Sequence, residues 1–174
     1  MCGNEKIKLV LDTSALMSGR IIGSIEDCII FIPPSVTNEI RKGNLSVKIQ
    51  YLLESGIIEV KSPSLHSLKV VRDAEKKLKD SLSSTDRDVL ALALDIGAIV
   101  ATDDYSMQNV ASELGISYIG VMQENIREKI VWGWRCRGCG RVFDAKHDNC
   151  PVCGSALKRY PIYRTFAASS DRSE

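Results

Sequence analysis

The chain has no long apolar run. Its longest hydrophobic stretches are strand-sized, which excludes a membrane-spanning helix of about 20 residues. The N-terminus lacks the charged-then-apolar layout of a secretory leader, so a soluble, cytoplasmic protein is expected. Internal repeats and low-complexity tracts are also missing. So is a strong net charge, with 23 Lys and Arg against 22 Asp and Glu. That balance conceals a division. Residues 1–125 hold 13 basic and 17 acidic residues, net −4, whereas residues 126–166 hold nine basic and three acidic, net +6. An acidic body followed by a basic module directs a polyanionic partner to the module. At 174 residues, 44% of them hydrophobic, there is material for one α/β domain and a second, smaller unit.

Four of the six cysteines fall in that basic module. Cys136-Arg137-Gly138-Cys139 and Cys150-Pro151-Val152-Cys153 are separated by ten residues, the spacing of two knuckles that each aim two sulfurs at one tetrahedral Zn²⁺. The Gly residues after Cys139 and Cys153 allow the positive φ that such turns need. Two disulfides are the alternative, disfavoured in a chain with no secretory features. Four protein thiolates leave no open position for water, so this zinc is expected to be structural. Cys2 and Cys28 stand alone, Cys28 in an apolar context that suits a buried thiol.

Upstream, apolar runs alternate with helical periodicity. Strands are expected at Lys6–Leu11, Cys28–Ile32, Ile57–Lys61, Ala98–Ala101 and Ser117–Val121. Helices are expected at Ser35–Lys42, Leu45–Ser55, Leu65–Leu82, from Ser84 through the apolar stretch VLALALDI, and at Asp104–Leu114. Met122–Val131 suggests a charged helical connector, and residues 167–174 a polar, disordered tail. The alternation implies an α/β fold with a parallel sheet covered on both faces. The expected division is 1–121 for the body, 122–134 for the connector and 135–166 for the zinc ribbon.

In such a sheet, ligands bind beyond the carboxyl ends of the strands. Asp12 directly follows the first strand, and Asp103 and Asp104 follow the fourth. Glu39 lies one turn into the helix after the second strand, and Asp86 lies in the first turn of the apolar helix. Each acid also has a bland explanation: a turn at Asp12, a helix cap at Asp104, a solvated face at Glu39, and at Asp86 a first-turn acid behind a Ser84 cap. Together they form a carboxylate set, which repels itself unless a hard cation such as Mg²⁺ or Mn²⁺ binds.

The motifs Leu11-Asp12-Thr13-Ser14-Ala15-Leu16, Thr37-Asn38-Glu39-Ile40, Leu82-Ser83-Ser84-Thr85-Asp86 and Ala101-Thr102-Asp103-Asp104-Tyr105 occur in that order. As an ordered set they resemble the signature of the PIN-domain nucleases over residues 5–121. The resemblance implies a metal-dependent endoribonuclease in which Asp12, Glu39, Asp86 and Asp104 hold Mg²⁺ or Mn²⁺, with Asp103 able to substitute or assist. Thr13 or Ser14 would orient a carboxylate or a water. His66 and His147 lie outside the motifs, leaving cation-activated water as the expected attacking group.

A PIN domain followed directly by a four-cysteine ribbon is similar to the Nob family of ribosome-maturation endoribonucleases, archaeal-like in its brevity. Met107-Gln108-Asn109-Val110 and Trp134 add to that likeness. It implies cleavage of precursor rRNA at the 3′ end of the small-subunit RNA, within the pre-small ribosomal subunit and with possible accessory assembly proteins. The ribbon would hold the RNA through Arg135, Arg137, Arg141, Lys146, Lys158 and Arg159, with Phe143, Tyr160 or Tyr163 available to stack on bases; for Phe143 a place in the ribbon core is preferred. Three other readings compete: a toxin-like PIN ribonuclease acting on other RNAs, a non-catalytic RNA-binding assembly factor, and a ribbon-containing transcription or ribosomal component.

Overall fold

The computed structural model describes residues 6–20, 28–42, 47–122 and 128–166. The expected tail at 167–174, part of the connector and the first residues of the 45–55 helix lie outside them. Five parallel strands form the body's sheet: β1 (Ile7–Leu11), β2 (Cys28–Ile32), β3 (Ile58–Val60), β4 (Ile99–Ala101) and β5 (Tyr118–Ile119), in the order β3-β2-β1-β4-β5. The order reverses between β1 and β4, and this switch point opens a crevice at the strands' carboxyl ends. Leu11 and Ala101 are register partners at its edge.

Among the described residues, six helices connect the strands: α1 (Thr13–Ser18), α2 (Pro34–Lys42), α3 (Val47–Glu54), α4 (Leu65–Leu78), α5 (Ser84–Ile96) and α6 (Tyr105–Leu114). The parallel sheet and its flanking helices bear out the expected fold class. Val89, Leu90, Ala91, Leu92 and Ala93 are all buried, so α5 is apolar nearly all round and is a core helix packed against β1 and β4. Cys28 is half-buried against this core.

The expected 65–82 helix stops early. Lys79 adopts the left-handed conformation at φ 54°, and its N–H caps the carbonyls of Glu75 and Lys76. The Glu75 carboxylate then accepts the Leu82 N–H at 2.9 Å, which seats Leu82 in the core outside any helix. The next helix is capped by Ser83, not Ser84. Ser83 Oγ accepts the Asp86 N–H, and the Asp86 carboxylate accepts the Ser83 N–H, a reciprocal capping box.

The helical connector is the larger correction. Glu128–Cys136 is a strand, β6, which pairs antiparallel with β7 (Val142–Phe143) and β8 (Leu157–Phe166) in a second sheet ordered β7-β6-β8. The register shifts at Val131/Trp132, where Trp132 faces Pro161 and Ile162 becomes the extra residue of a bulge. A proline is tolerated there because β8 is an edge strand. The second sheet packs on the body: β6 contacts α6 and α4. Asn109 donates to the Ile130 carbonyl and accepts its N–H, both at 2.8 Å. Among the described residues, no helix is long and apolar enough to cross a membrane.

Candidate active site and zinc centre

Asp12 caps α1 at the switch point and is only 6% exposed. Its Oδ1 accepts the Ala15 N–H at 2.6 Å and the Ser14 hydroxyl at 3.0 Å; its Oδ2 accepts the Thr102 hydroxyl, across from β4, at 2.5 Å. Burial pushes the Asp12 carboxyl above its ordinary range, and the nearby Asp86 charge adds to that. Hydrogen bonds from Thr102, Ala15 and Ser14 oppose the shift without cancelling it.

Glu39 reaches from α2 between two helix starts. Its Oε2 accepts the Thr13 hydroxyl at 2.6 Å and its Oε1 the Thr85 hydroxyl at 2.5 Å. Asp104 is exposed and caps α6, accepting the Ser106 N–H at 2.7 Å while its own N–H donates to Thr102 Oγ1. Asp103 faces elsewhere: it accepts the N–H groups of Val121 and Met122 at 2.8 and 2.9 Å and ties down the chain after β5. The bland explanations therefore describe real contacts at Asp12, Asp86 and Asp104.

The hydroxyls of Thr102 and Thr85 were not singled out from the sequence, although each directly precedes an acid in its motif. Thr102 is fully buried and joins Asp12 to the Asp104 backbone. This all-oxygen set suits a hard divalent cation, and burial, the largest influence on Asp12, disfavours its charged form. Three carboxylate oxygens are not gathered within 4.8 Å of one another among the described residues.

The four ribbon sulfurs are so gathered: those of Cys136, Cys139, Cys150 and Cys153 all lie within 4.8 Å. Cys136 Sγ is 3.4 Å from Cys153 Sγ, and Cys139 Sγ is 3.7 Å from Cys150 Sγ. Tetrahedral Zn–S bonds of about 2.3 Å require sulfurs about 3.8 Å apart, and the cysteines are unbridged, so the donor set fits zinc. The Gly138 and Cys139 N–H groups point at Cys136 Sγ, and Gly140 and Gly154 take φ of 74° and 73°. Gly138 has no room for a Cβ, which would collide with Ser155.

The basic residues divide. Arg135, Arg137 and Lys158 line an open cleft beside Cys136. Arg135 lies over Tyr160 and Lys146 over Trp134, at 5.1 and 5.4 Å from the ring centres. The Arg141 carbonyl accepts the Cys136 N–H. Arg159 spans the seam: it stacks on Trp132 of β6 at 4.3 Å and pairs with Asp80 of the body at 2.8 Å. Phe143 packs edge-on against His147, whereas Tyr163 is exposed.

A family model described as the PIN domain of ribonuclease matches residues 9–96. Crystallographic VapBC2 from Rickettsia felis, bound to a DNA fragment from its promoter, has a chain of the same fold: TM-score 0.53 at 14% identity, covering 66% of this chain and 98% of that one. The chain thus belongs to the PIN-domain ribonucleases. "Endoribonuclease Nob1" of Methanocaldococcus jannaschii is 38% identical across 90% of this chain and 79% of its own length. "Ribonuclease VapC1" of Thermoplasma acidophilum is 43% identical across 87% of this chain and 77% of its own length. With its four-cysteine ribbon, the chain is an endoribonuclease of the Nob family.

Proposed function

We propose that this endoribonuclease requires Mg²⁺ or Mn²⁺ and cuts precursor rRNA at the 3′ end of the small-subunit RNA. The observation that carries the metal requirement is Asp12, a buried carboxylate at the switch point, destabilised by burial and by Asp86. Asp12, Glu39, Asp86 and Asp104 would hold the ion, with Asp103 bracing the adjacent chain. A divalent ion supplies charge neutralisation at the phosphodiester and lowers the pKa of water. Thr102 fixes the Asp12 carboxylate, while Thr13 and Thr85 fix Glu39, so the acids are oriented before substrate arrives. Zn²⁺ on Cys136, Cys139, Cys150 and Cys153 shapes the ribbon. Arg135, Arg137, Arg141, Lys146 and Lys158 would hold phosphates, and Arg159 would join them where the RNA crosses the seam.

The rRNA assignment draws on the name of the Nob1 relatives, and it places the protein on the pre-small ribosomal subunit in the cytoplasm. The VapC1 relative, whose name says ribonuclease without specifying an RNA, supports a second reading, cleavage of other RNAs. The deciding experiment compares wild type and Asp12→Asn on an RNA spanning the small-subunit 3′ end and on unrelated RNAs, with Mn²⁺ or Mg²⁺. One metal-dependent cut at the mature end, lost in the variant, is expected. Cutting confined to unrelated RNAs would refute the rRNA assignment; binding with no cut would point to an assembly factor.

A further inference from the structure

We infer that a pocket on the seam between α6 and β6 is a nucleobase site, taking one unpaired base of the RNA beside the bond that is cut. The pocket has a volume of about 240 Å³ and is lined by Tyr105, Ser106 and Asn109 of α6 and by Glu128, Ile130 and Trp132 of β6. Drug-sized ligands occupy roughly 300–1,000 Å³, so this space suits a single flat ring system. Two aromatic side chains bound it, and bases of every kind stack on such faces. Tyr105 is 53% exposed, so its ring is accessible to an incoming base.

The position follows from the chain. Tyr105 is the residue after Asp104, at the start of α6. A base in the pocket therefore lies next to Asp104, and the inference rests on Asp104 belonging to the active site. The charge at the pocket decides which part of a nucleotide enters. The lining holds no Lys or Arg for a phosphate; Asp80 is buried and paired with Arg159, whereas Glu128, paired with Arg164, is 43% exposed. Glu128 can accept a hydrogen bond from an exocyclic amino group, favouring adenine, cytosine or guanine over uracil. The lining is held in place: Asn109 donates to Asp80 at 2.9 Å and bonds Ile130 in both directions, while Arg159 fixes Asp80 and stacks on Trp132.

The test uses Trp132 as the reporter. Trp134→Phe leaves it the sole tryptophan, and Asp12→Asn keeps the RNA whole. Hexamers of adenylate, of uridylate and of abasic ribose-phosphate are titrated against Trp132 fluorescence. Adenylate is expected to quench it, uridylate to bind more weakly, and the abasic chain to leave it unchanged. Adding Tyr105→Ala should weaken adenylate binding about 10-fold, within the roughly 5- to 150-fold worth of one stack. Equal quenching by the abasic chain, or unchanged affinity in Tyr105→Ala, would overturn the site. Uridylate binding as tightly as adenylate would overturn the amino-group preference. Whether the hexamers stay intact on a gel scores the Asp12 reading separately.

Discussion

At the scale of single residues, burial and charge oppose each other most sharply at Asp12. An unpaired buried carboxylate is costly, and Thr102, the residue after β4, gives it a bond that does not come from its own helix cap. Thr102→Val keeps the shape of this fully buried residue and removes that bond. Because partners of ligand residues tune affinity by about 10- to 100-fold, the variant is expected to need 10- to 100-fold more Mn²⁺ for half-maximal cleavage. A metal titration of activity checks this, with circular dichroism confirming the fold. An unchanged titration would remove Thr102 from the site. Glu39 follows the same logic with two hydroxyls, Thr13 and Thr85, so its side chain also holds the starts of α1 and α5 in register.

Among the elements, α5 carries both core and site. Its capping box fixes where the helix begins, and so where Asp86 stands. Ser83→Ala should cost about 1 kcal/mol, a fall of roughly 2–4 °C in Tm for a chain of this size; Ser84→Ala should leave Tm nearly unchanged, as thermal melts of both would show. Ser83 and Ser84 were indistinguishable in sequence because either can cap, and the box settles on the one three residues before Asp86. β1 and the apolar face of α5 were legible because their patterns are strong and local. The acids' order was legible for the same reason. β6 was not: Glu128–Val131 carries charge and helical spacing, and only its partner β8, some 30 residues later, makes it a strand. Asp103 against Asp104 was also beyond the sequence, since the choice depends on where the chain runs after β5. Arg159 seemed a free phosphate contact until Asp80, distant in sequence, came beside it.

At the scale of the whole molecule, the ribbon is docked on the body by charge. Glu113 of α6 lies between Lys129 of β6 and Lys77 of α4, at 2.6 and 2.5 Å, and hydrogen bonds from Lys129 and then Lys77 hold its carboxyl below the ordinary 4.5. A depressed carboxyl contributes stability that is present above the unfolded value and is lost as pH falls through the folded one. Melts of wild type should therefore lose stability below about pH 4.5, and Glu113→Gln should flatten that part of the curve while lowering Tm at pH 7. The zinc acts at the other end of the ribbon. The body has its own five-stranded sheet and core, so Cys139→Ser is expected to release zinc and disorder the knuckles while the body keeps its helical signal. RNA binding should show the difference. Six basic groups neutralising single-stranded phosphates give a slope of log K on log salt of about −4; with four thiolates on the ion, the ribbon's net charge becomes about +4. In Cys139→Ser those groups are no longer held on one surface, so both affinity and slope should fall. A variant that binds RNA with the wild-type slope would show that the acidic body, not the ribbon, carries the RNA contacts; loss of the body's helical signal would show that the two sheets fold as one.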